Sequence, residues 1–384
     1  MRRGVWAAAV LALTLTGCAG AALPKAVNIA ELRLIRTLAV DLPETGEGVR
    51  LTVCGDVEKD SAGGESRAPL LLTQTGESLT AAGEKLNRAG EGRLEYGHTE
   101  ECVIGEALAM NGIGDVVDTL ERDGSVRTGT KLFLLRQGEG EQALRAASGE
   151  HTSPTQHLTA LSEDTRLGGG HWRYTLRQYI SDMEDNGEAL LPVLELRGEG
   201  EELSLRLSGL GWMQGHRLGG YYTEEESRGL CLLTGENQGD WFQIPLPQGA
   251  ACVELVKSRV SWKPLFDEKG ALTGASAQVE VYGKVTQLPE GVSLQNRAQA
   301  EELRRAWLAQ VETLCRAALT AGEDRGADVL HLRRTLCGAS PLRGKEITAG
   351  FARPERLEWT VEVTGAMGKT YDTDRAPVAG GTAE

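Results

Sequence analysis

Two spacings of apolar residues alternate along this chain, and together they lay out its elements. Leu32 to Asp41 and Val49 to Val57 are apolar-rich and flank Pro43, Gly46 and Gly48, which predicts two strands around a turn. Between Glu77 and Ala89 the positions Leu79, Ala82 and Leu86 fall at helical spacing, with Gly90 as a stop. Arg93 to Gly105 holds Tyr96, Gly97, His98 and then Cys102, Val103, Ile104, and predicts a buried strand. Ile113, Val116, Val117 and Leu120 repeat as a helix face, and Lys131 to Leu135 is a further strand. Strands and helices in this order are a layered α/β or α+β arrangement.

Farther along, Glu141 to Ala147 and Gln156 to Leu161 are short helical segments separated by His151 to Pro154, and Gly168 to Gly170 follow. Leu176, Tyr179, Ile180 and Met183 mark an amphipathic helix. A domain junction is expected in this glycine-rich neighbourhood, between about 145 and 172. Leu203, Leu205 and Leu207 alternate with polar residues as a half-buried strand, and Arg217 to Tyr222 beyond Gly215 is its hairpin partner. Thr223 and Glu226 have the spacing of a capping box, opening a short helix through Leu230. Val253 to Leu265 and Ala275 to Leu288 are long strands joined at Asp267 to Gly270. Arg297 to Ala321 is the longest helix, with Leu303, Trp307, Val311, Leu314 and Ala318 on one stripe. A helix over Ala327 to Cys337 and a strand alternating Leu357, Trp359, Val361 and Val363 close the folded part. The expected fold class is α+β, in three domains over 28–150, 151–250 and 251–370, with a disordered tail over 371–384.

The start of the chain changes the picture. Arg2 and Arg3, the apolar run Val5 to Leu15, and then Leu15, Thr16, Gly17 and Cys18 have the form of an export signal ending in a lipobox. Residues 1–18 are therefore expected to be a lipoprotein signal peptide. Cys18 is the site of lipid attachment, and 19–27 form a tether. Acyl chains on one cysteine hold a soluble body at a membrane at roughly 0.8 kcal/mol per buried methylene. No later stretch is apolar for long enough to span a bilayer. The formal charge of −14 becomes −16 once Arg2 and Arg3 are removed. So acidic a surface argues against nucleic acid and against lying flat on anionic lipid.

Candidate chemistry is sparse. Besides Cys18, the cysteines stand at 54, 102, 231, 252, 315 and 337, with no CxxC spacing, and buried free thiols are the favoured reading over disulfides or zinc. His98 is expected to be a structural histidine beside a buried strand; His151 and His157 do not share a helical face. There is no GxSxG, HExxH or P-loop, and no catalytic residue, metal site or cofactor is assigned beyond the covalent lipid. Glu224, Glu225 and Glu226 point in different directions on a helix, so they do not converge on one ion. They sit where the helix dipole favours negative charge. Capping is their first reading, and contact with a basic patch on a partner is the second. Arg228 and Gly229 are structural or interface residues. Most of Trp172, Trp212, Trp241, Trp262, Trp307 and Trp359 are expected to anchor cores, with one or two exposed at a partner surface.

The ordered set of strings resembles the C-subunit lipoproteins of spore germinant receptors, the GerAC or Ger(x)C family. The resemblance runs from the lipobox at Cys18 through the strand ending in Asp41 to Tyr96-Gly97-His98 and the helix Ile113 to Arg122 with Asp123 and Arg127. It continues at Thr223 to Gly229, at Glu254 to Lys263 with Lys257, Ser258 and Arg259, and at Gly326-Ala327-Asp328 after the long helix. Ala19 and Gly20 follow the cysteine where family members carry a tryptophan and an acidic residue. The resemblance implies a non-enzymatic α+β protein of three domains, anchored on the outer face of the spore inner membrane. It would assemble there with a polytopic A subunit and a permease-like B subunit to couple nutrients to germination. Glu224, Glu225 and Arg228 are the candidate partner interface. The alternative is a lipoprotein that captures a small molecule for uptake or sensing.

Overall fold

The computed structural model describes residues 32–55, 70–89, 93–124, 126–148, 153–163, 174–235, 237, 239–352 and 356–369. The signal, Cys18, the tether, His151, Gly168 to Gly170, Trp172 and the C-terminal tail lie outside the described residues.

Strand β1 (Leu32–Asp41) is buried over its last five residues because it lies inside a sheet, hydrogen-bonded on both sides. The hairpin partner β2 (Val49–Gly55) and then β3 (Leu71–Gly76) extend the sheet antiparallel on one side. Helix α1 (Leu79–Ala89) buries Leu79, Ala82 and Leu86. The expected single strand from Arg93 to Gly105 is two pieces, β4 (Arg93–Glu95) and β5 (Glu101–Gly105), both parallel to β1. They are separated by a turn in which the Gly97 N–H donates to Glu95 Oε1 at 3.1 Å and the Thr99 N–H to the Tyr96 carbonyl at 2.9 Å. That turn leaves His98 exposed, not structural beside a buried strand.

Helices α2 (Glu106–Asn111) and α3 (Gly114–Asp123) lead to β6 (Lys131–Arg136), parallel to β5. Helices α4 (Gly140–Ala147), α5 (Pro154–Glu163) and α6 (Leu176–Asn186) form the crossover to β7 (Glu188–Arg197). The sheet does not break at the junction expected between about 145 and 172. Leu134 to Arg136 of β6 pair with Val193 to Glu195 of β7, so that region lies within one long parallel crossover. Strands β8 (Ser204–Gln214) and β9 (Arg217–Tyr222) complete a nine-stranded sheet in the order β3-β2-β1-β5-β6-β7-β8-β9, with β4 beside β1. One face packs on α1, α2, α3 and α6, the other on α4 and α5.

Helix α7 (Glu224–Thr234) then leads into a second, four-stranded sheet of β10 (Trp241–Leu246), β11 (Gly249–Phe266), β12 (Leu272–Gln287) and β13 (Glu358–Lys369). Trp241 to Leu246, expected with the middle region, pair with Gly249 to Glu254 and belong to this sheet. Helix α8 (Arg297–Arg325) runs 29 residues, or about 44 Å at 1.5 Å per residue. It buries Leu303, Trp307, Val311, Leu314 and Ala318 on one sheet face, the stripe expected from the sequence. Helices α9 (Leu332–Ala339) and α10 (Gly344–Gly350) cover the rest of that face. The fold is α+β, with a long helix in its C-terminal part.

Candidate functional site

The segment Thr223-Glu-Glu-Glu-Ser-Arg-Gly229 is built into the fold almost residue by residue. Thr223 caps α7: its hydroxyl accepts from the Glu226 N–H at 3.2 Å, and Glu226 Oε2 accepts from the Thr223 N–H at 2.7 Å. Glu226 also faces Arg325 of α8 at 3.5 Å. Ser227 is fully buried. Arg228 donates to Asp240 Oδ2 at 3.0 Å and to the Trp241 carbonyl at 3.1 Å, with its guanidinium 4.9 Å from the Phe242 ring centroid. It ties α7 to β10. Gly229 lies where α7 meets α8, since a Cβ there would stand 2.0 Å from the Leu314 carbonyl oxygen. Glu224 and Glu225 remain, both exposed; Arg206 stands 4.0 Å from Glu224. Of the predicted interface residues, Arg228 is thus turned inward and the two glutamates outward.

Just past the same, C-terminal end of α8 the two sheets are joined by a polar seam. Gly326 ends the helix in the left-handed region at φ 61°. Asp328 then serves both modules. Its N–H donates to Glu188 Oε2 of β7 at 2.7 Å, and its carbonyl accepts from Asn186 Nδ2 at 2.8 Å. Its carboxylate accepts from the Leu332 N–H at 2.7 Å and the Arg333 N–H at 3.3 Å, opening α9. His331 lies 3.4 Å from Asp182 and 3.3 Å from Asp185, both on α6, and Arg333 reaches the Asp185 carbonyl at 3.1 Å. Burial pushes the Asp328 carboxyl up, against the N–H groups of Leu332 and Arg333. Burial likewise raises Glu188, against the Asp328 N–H. For His331 burial pulls the pKa down, but Asp182, Asp328 and Asp185 outweigh it and the net shift is upward.

Beside the seam, Leu230 of α7, Ala318 and Leu319 of α8, Val329, Leu357 and Trp359 line an apolar cleft of about 390 Å³ with Glu323 and Asp328 among its polar residues. Two other buried acids sit in the first sheet. Asp41 accepts from the Gly140 N–H with both oxygens at 3.1 Å and is pushed by burial up to about 6. Glu101, held by Thr159 Oγ1 at 2.6 Å with Lys131 at 3.7 Å, is pushed by burial up to about 7. Sequence reasoning singled out Gly326-Ala327-Asp328 but not its partners, which come from residues some 140 positions earlier. Cys54, Cys102, Cys231 and Cys315 are buried, and burial raises the Cys102 thiol to about 12.

This geometry builds a two-module body with a braced joint and an acidic helix start. A model of the spore germination protein N-terminal domain matches residues 25–196, and one of the spore germination B3/GerAC-like C-terminal domain matches 208–365. The spore germination protein GerQC of Bacillus cereus is 22% identical over 333 residues, covering 85% of this chain and 87% of that protein. The putative spore germination protein YfkR of Bacillus subtilis (strain 168) is 24% identical over 216 residues, 54% of this chain and 52% of that protein. The crystal structure of the GerBC protein superposes with a TM-score of 0.53 at 13% identity, covering 86% of this chain and 96% of that one. This chain belongs to the Ger(x)C family of spore germination proteins.

Proposed function

We propose that this chain is the C subunit of a spore germinant receptor: a non-catalytic lipoprotein held by Cys18 on the outer face of the spore inner membrane and assembled with the receptor's A and B membrane subunits. Family membership supports the receptor role. Within the described residues no helix is long and apolar enough to cross a membrane, which is compatible with attachment through a lipid. The observation that carries the assembly reading is the α7 segment. Thr223, Glu226, Ser227, Arg228 and Gly229 each have work inside the fold, whereas Glu224 and Glu225 face solvent at the helix start. Two carboxylates on a rigid, capped turn present fixed negative charge to a basic patch on a partner.

The test is co-purification of the receptor subunits from membranes. Glu224→Lys with Glu225→Lys is expected to reduce recovery of the A and B subunits far more than it destabilises the purified body, which loses about 1–2 kcal/mol of helix-dipole stabilisation; full recovery would remove these residues from the interface. Metabolic acyl labelling tests the anchor: it is expected for the natural chain and absent for Cys18→Ala, and labelling of that variant would refute the assignment.

The cleft beside Trp359 favours a second reading, capture of a small molecule. A ligand that binds only the native state stabilises it by RT ln(1 + [L]/Kd). Thermal stabilisation by amino acids or sugars would support that reading, and its absence across both classes would leave the assembly role.

A further inference from the structure

The walls of the cleft beside the seam are fixed before anything enters it. Trp359 on β13 is held from two directions, its ring edge-on to Trp262 at 6.5 Å between centroids and tilted against Phe351 at 6.1 Å. Leu230, Ala318 and Leu357 are buried in the core cluster of the second sheet, so much of the apolar lining belongs to packed elements that cannot close over the space. Gly322 and Gly326 also line it and send no side chain into it. A volume of about 390 Å³ is that of a small-ligand site.

The charge of the lining has one sign. Glu323 and Asp328 are its titratable residues, and among the described residues no lysine, arginine or histidine lines it. The Asp328 carboxylate is engaged by the N–H groups of Leu332 and Arg333. Glu323 is exposed and its carboxylate has no hydrogen-bond or ion-pair partner among the described residues. Partial burial and the neighbouring Asp324 push that carboxyl up, a shift that a nearby cation would oppose. The cations close by are turned elsewhere. Arg325 faces Glu226, donates to the Tyr221 carbonyl at 3.0 Å and lies 4.4 Å from the Tyr222 ring centroid, while His331 and Arg333 face Asp185 of α6. Glu323 stands in the last turn of α8, so the partially negative end of a 29-residue helix also meets the cleft.

We infer that this cleft binds a small ammonium ion with an apolar body: the body lies against Trp359 and the leucines, and the ammonium group meets Glu323 at the C-terminal end of α8. A neutral ligand of the same shape forgoes that pairing, and a carboxylate meets like charge from both Glu323 and the helix end. The inference rests on the small-molecule reading of the cleft and adds the ligand class; it is independent of assembly through Glu224 and Glu225.

Phenethylamine, phenethyl alcohol, hydrocinnamate and phenylalanine share one aromatic body and differ in charge. The chain produced from Ala19 onward keeps every described residue and carries no acyl chain to compete for an apolar ligand. Calorimetric titration of it is expected to rank the amine tightest, the alcohol next and the carboxylate last, with the zwitterion weaker than the amine. An ion pair at an exposed rim is worth about twofold to fivefold, so Glu323→Gln should weaken the amine by that factor and leave the alcohol unchanged. Gly322→Leu puts a side chain into the cleft. A Cβ there meets only the Ala327 carbonyl oxygen, at an ordinary 3.5 Å, and leucine favours the helix, so the melting temperature should not fall while amine binding drops at least about tenfold. Equal affinity for amine and alcohol in the natural chain, or an undiminished preference for the amine in Glu323→Gln, would overturn the ammonium assignment and leave the cleft a small-molecule site. Undiminished amine binding by Gly322→Leu would place the ligand elsewhere on the acidic surface and overturn it too. No binding by any of the four would remove the small-molecule reading together with this one.

Discussion

A single missing methyl group sets how closely α7 approaches α8. At Gly229 a Cβ would lie 2.0 Å from the Leu314 carbonyl oxygen and 2.8 Å from Ala318 Cβ, and backbone on a 29-residue helix has little room to give. Gly229→Ala is therefore expected to destabilise by about 1–3 kcal/mol, the usual range for overpacking a close contact. A urea midpoint matching that of the natural chain would show that the helices slide apart at no cost. Trp307 makes the opposite case. It is fully buried, its ring edge-on to Phe242 at 6.3 Å between centroids, and Gly283 is flat against it. Trp307→Ala should cost about 3–5 kcal/mol, and an unchanged midpoint would mean that the indole is not in the core. Trp307 was readable from the helical stripe alone. The constraint at Gly229 was not, because glycine inside a helical string carries no sign of what crosses it.

Elements were legible where period and punctuation agreed, and missed where proline intervened or where, as in β3 and α2, six residues are too few to show a period. The alternation along Leu357 to Val363 and the stripe on α8 fixed β13 and the long helix. β7 was missed, although it reads Glu-Ala-Leu-Leu-Pro-Val-Leu-Glu-Leu-Arg, because Pro192 argues against a central strand. The structure tolerates it at a register irregularity between Pro192 and Leu194, where the ladder needs no N–H. In β10, Pro245 sits on the edge strand of its sheet. The seam between elements has a pH consequence. His331, Asp328 and Glu188 all have raised pKa values, so the folded state holds these protons more tightly than the unfolded chain and stability falls as pH rises. The His331 contribution is fully present below about 6.5, its unfolded value. It is lost as pH climbs through the raised folded value. His331→Asn, which tolerates the positive φ of 49° at this position, should flatten the decline in melting temperature above neutrality. A slope identical to that of the natural chain would show that the His331 proton is not coupled to folding.

At the scale of the whole molecule, the three expected domains are distributed over two sheets whose cores are not separate. Leu210, Trp212 and Tyr222 belong to strands of the first sheet, yet their side chains lie in the same apolar cluster as α7, α8 and the second sheet. Asp328 and Glu188 add a hydrogen-bonded joint just past the C-terminal end of α8. Sequence could not disclose this coupling, because the alternation of Leu203, Leu205 and Leu207 shows that one side of β8 is buried but not against which module. Two bodies that share a core and a polar seam should melt together, so calorimetry of the natural chain is expected to give one transition with calorimetric and van't Hoff enthalpies in agreement. Trp212→Ala removes the largest shared side chain, whose ring lies so close to Gly219 that a Cβ there would stand 2.8 Å from it. Combined with Glu188→Ala, which removes the acceptor of the Asp328 N–H, it should split the melt into two transitions, the two sheets unfolding separately. One transition for the double variant would show that other contacts suffice to couple them. Two transitions already in the natural chain would mean that the shared cluster does not bind the modules into one cooperative unit.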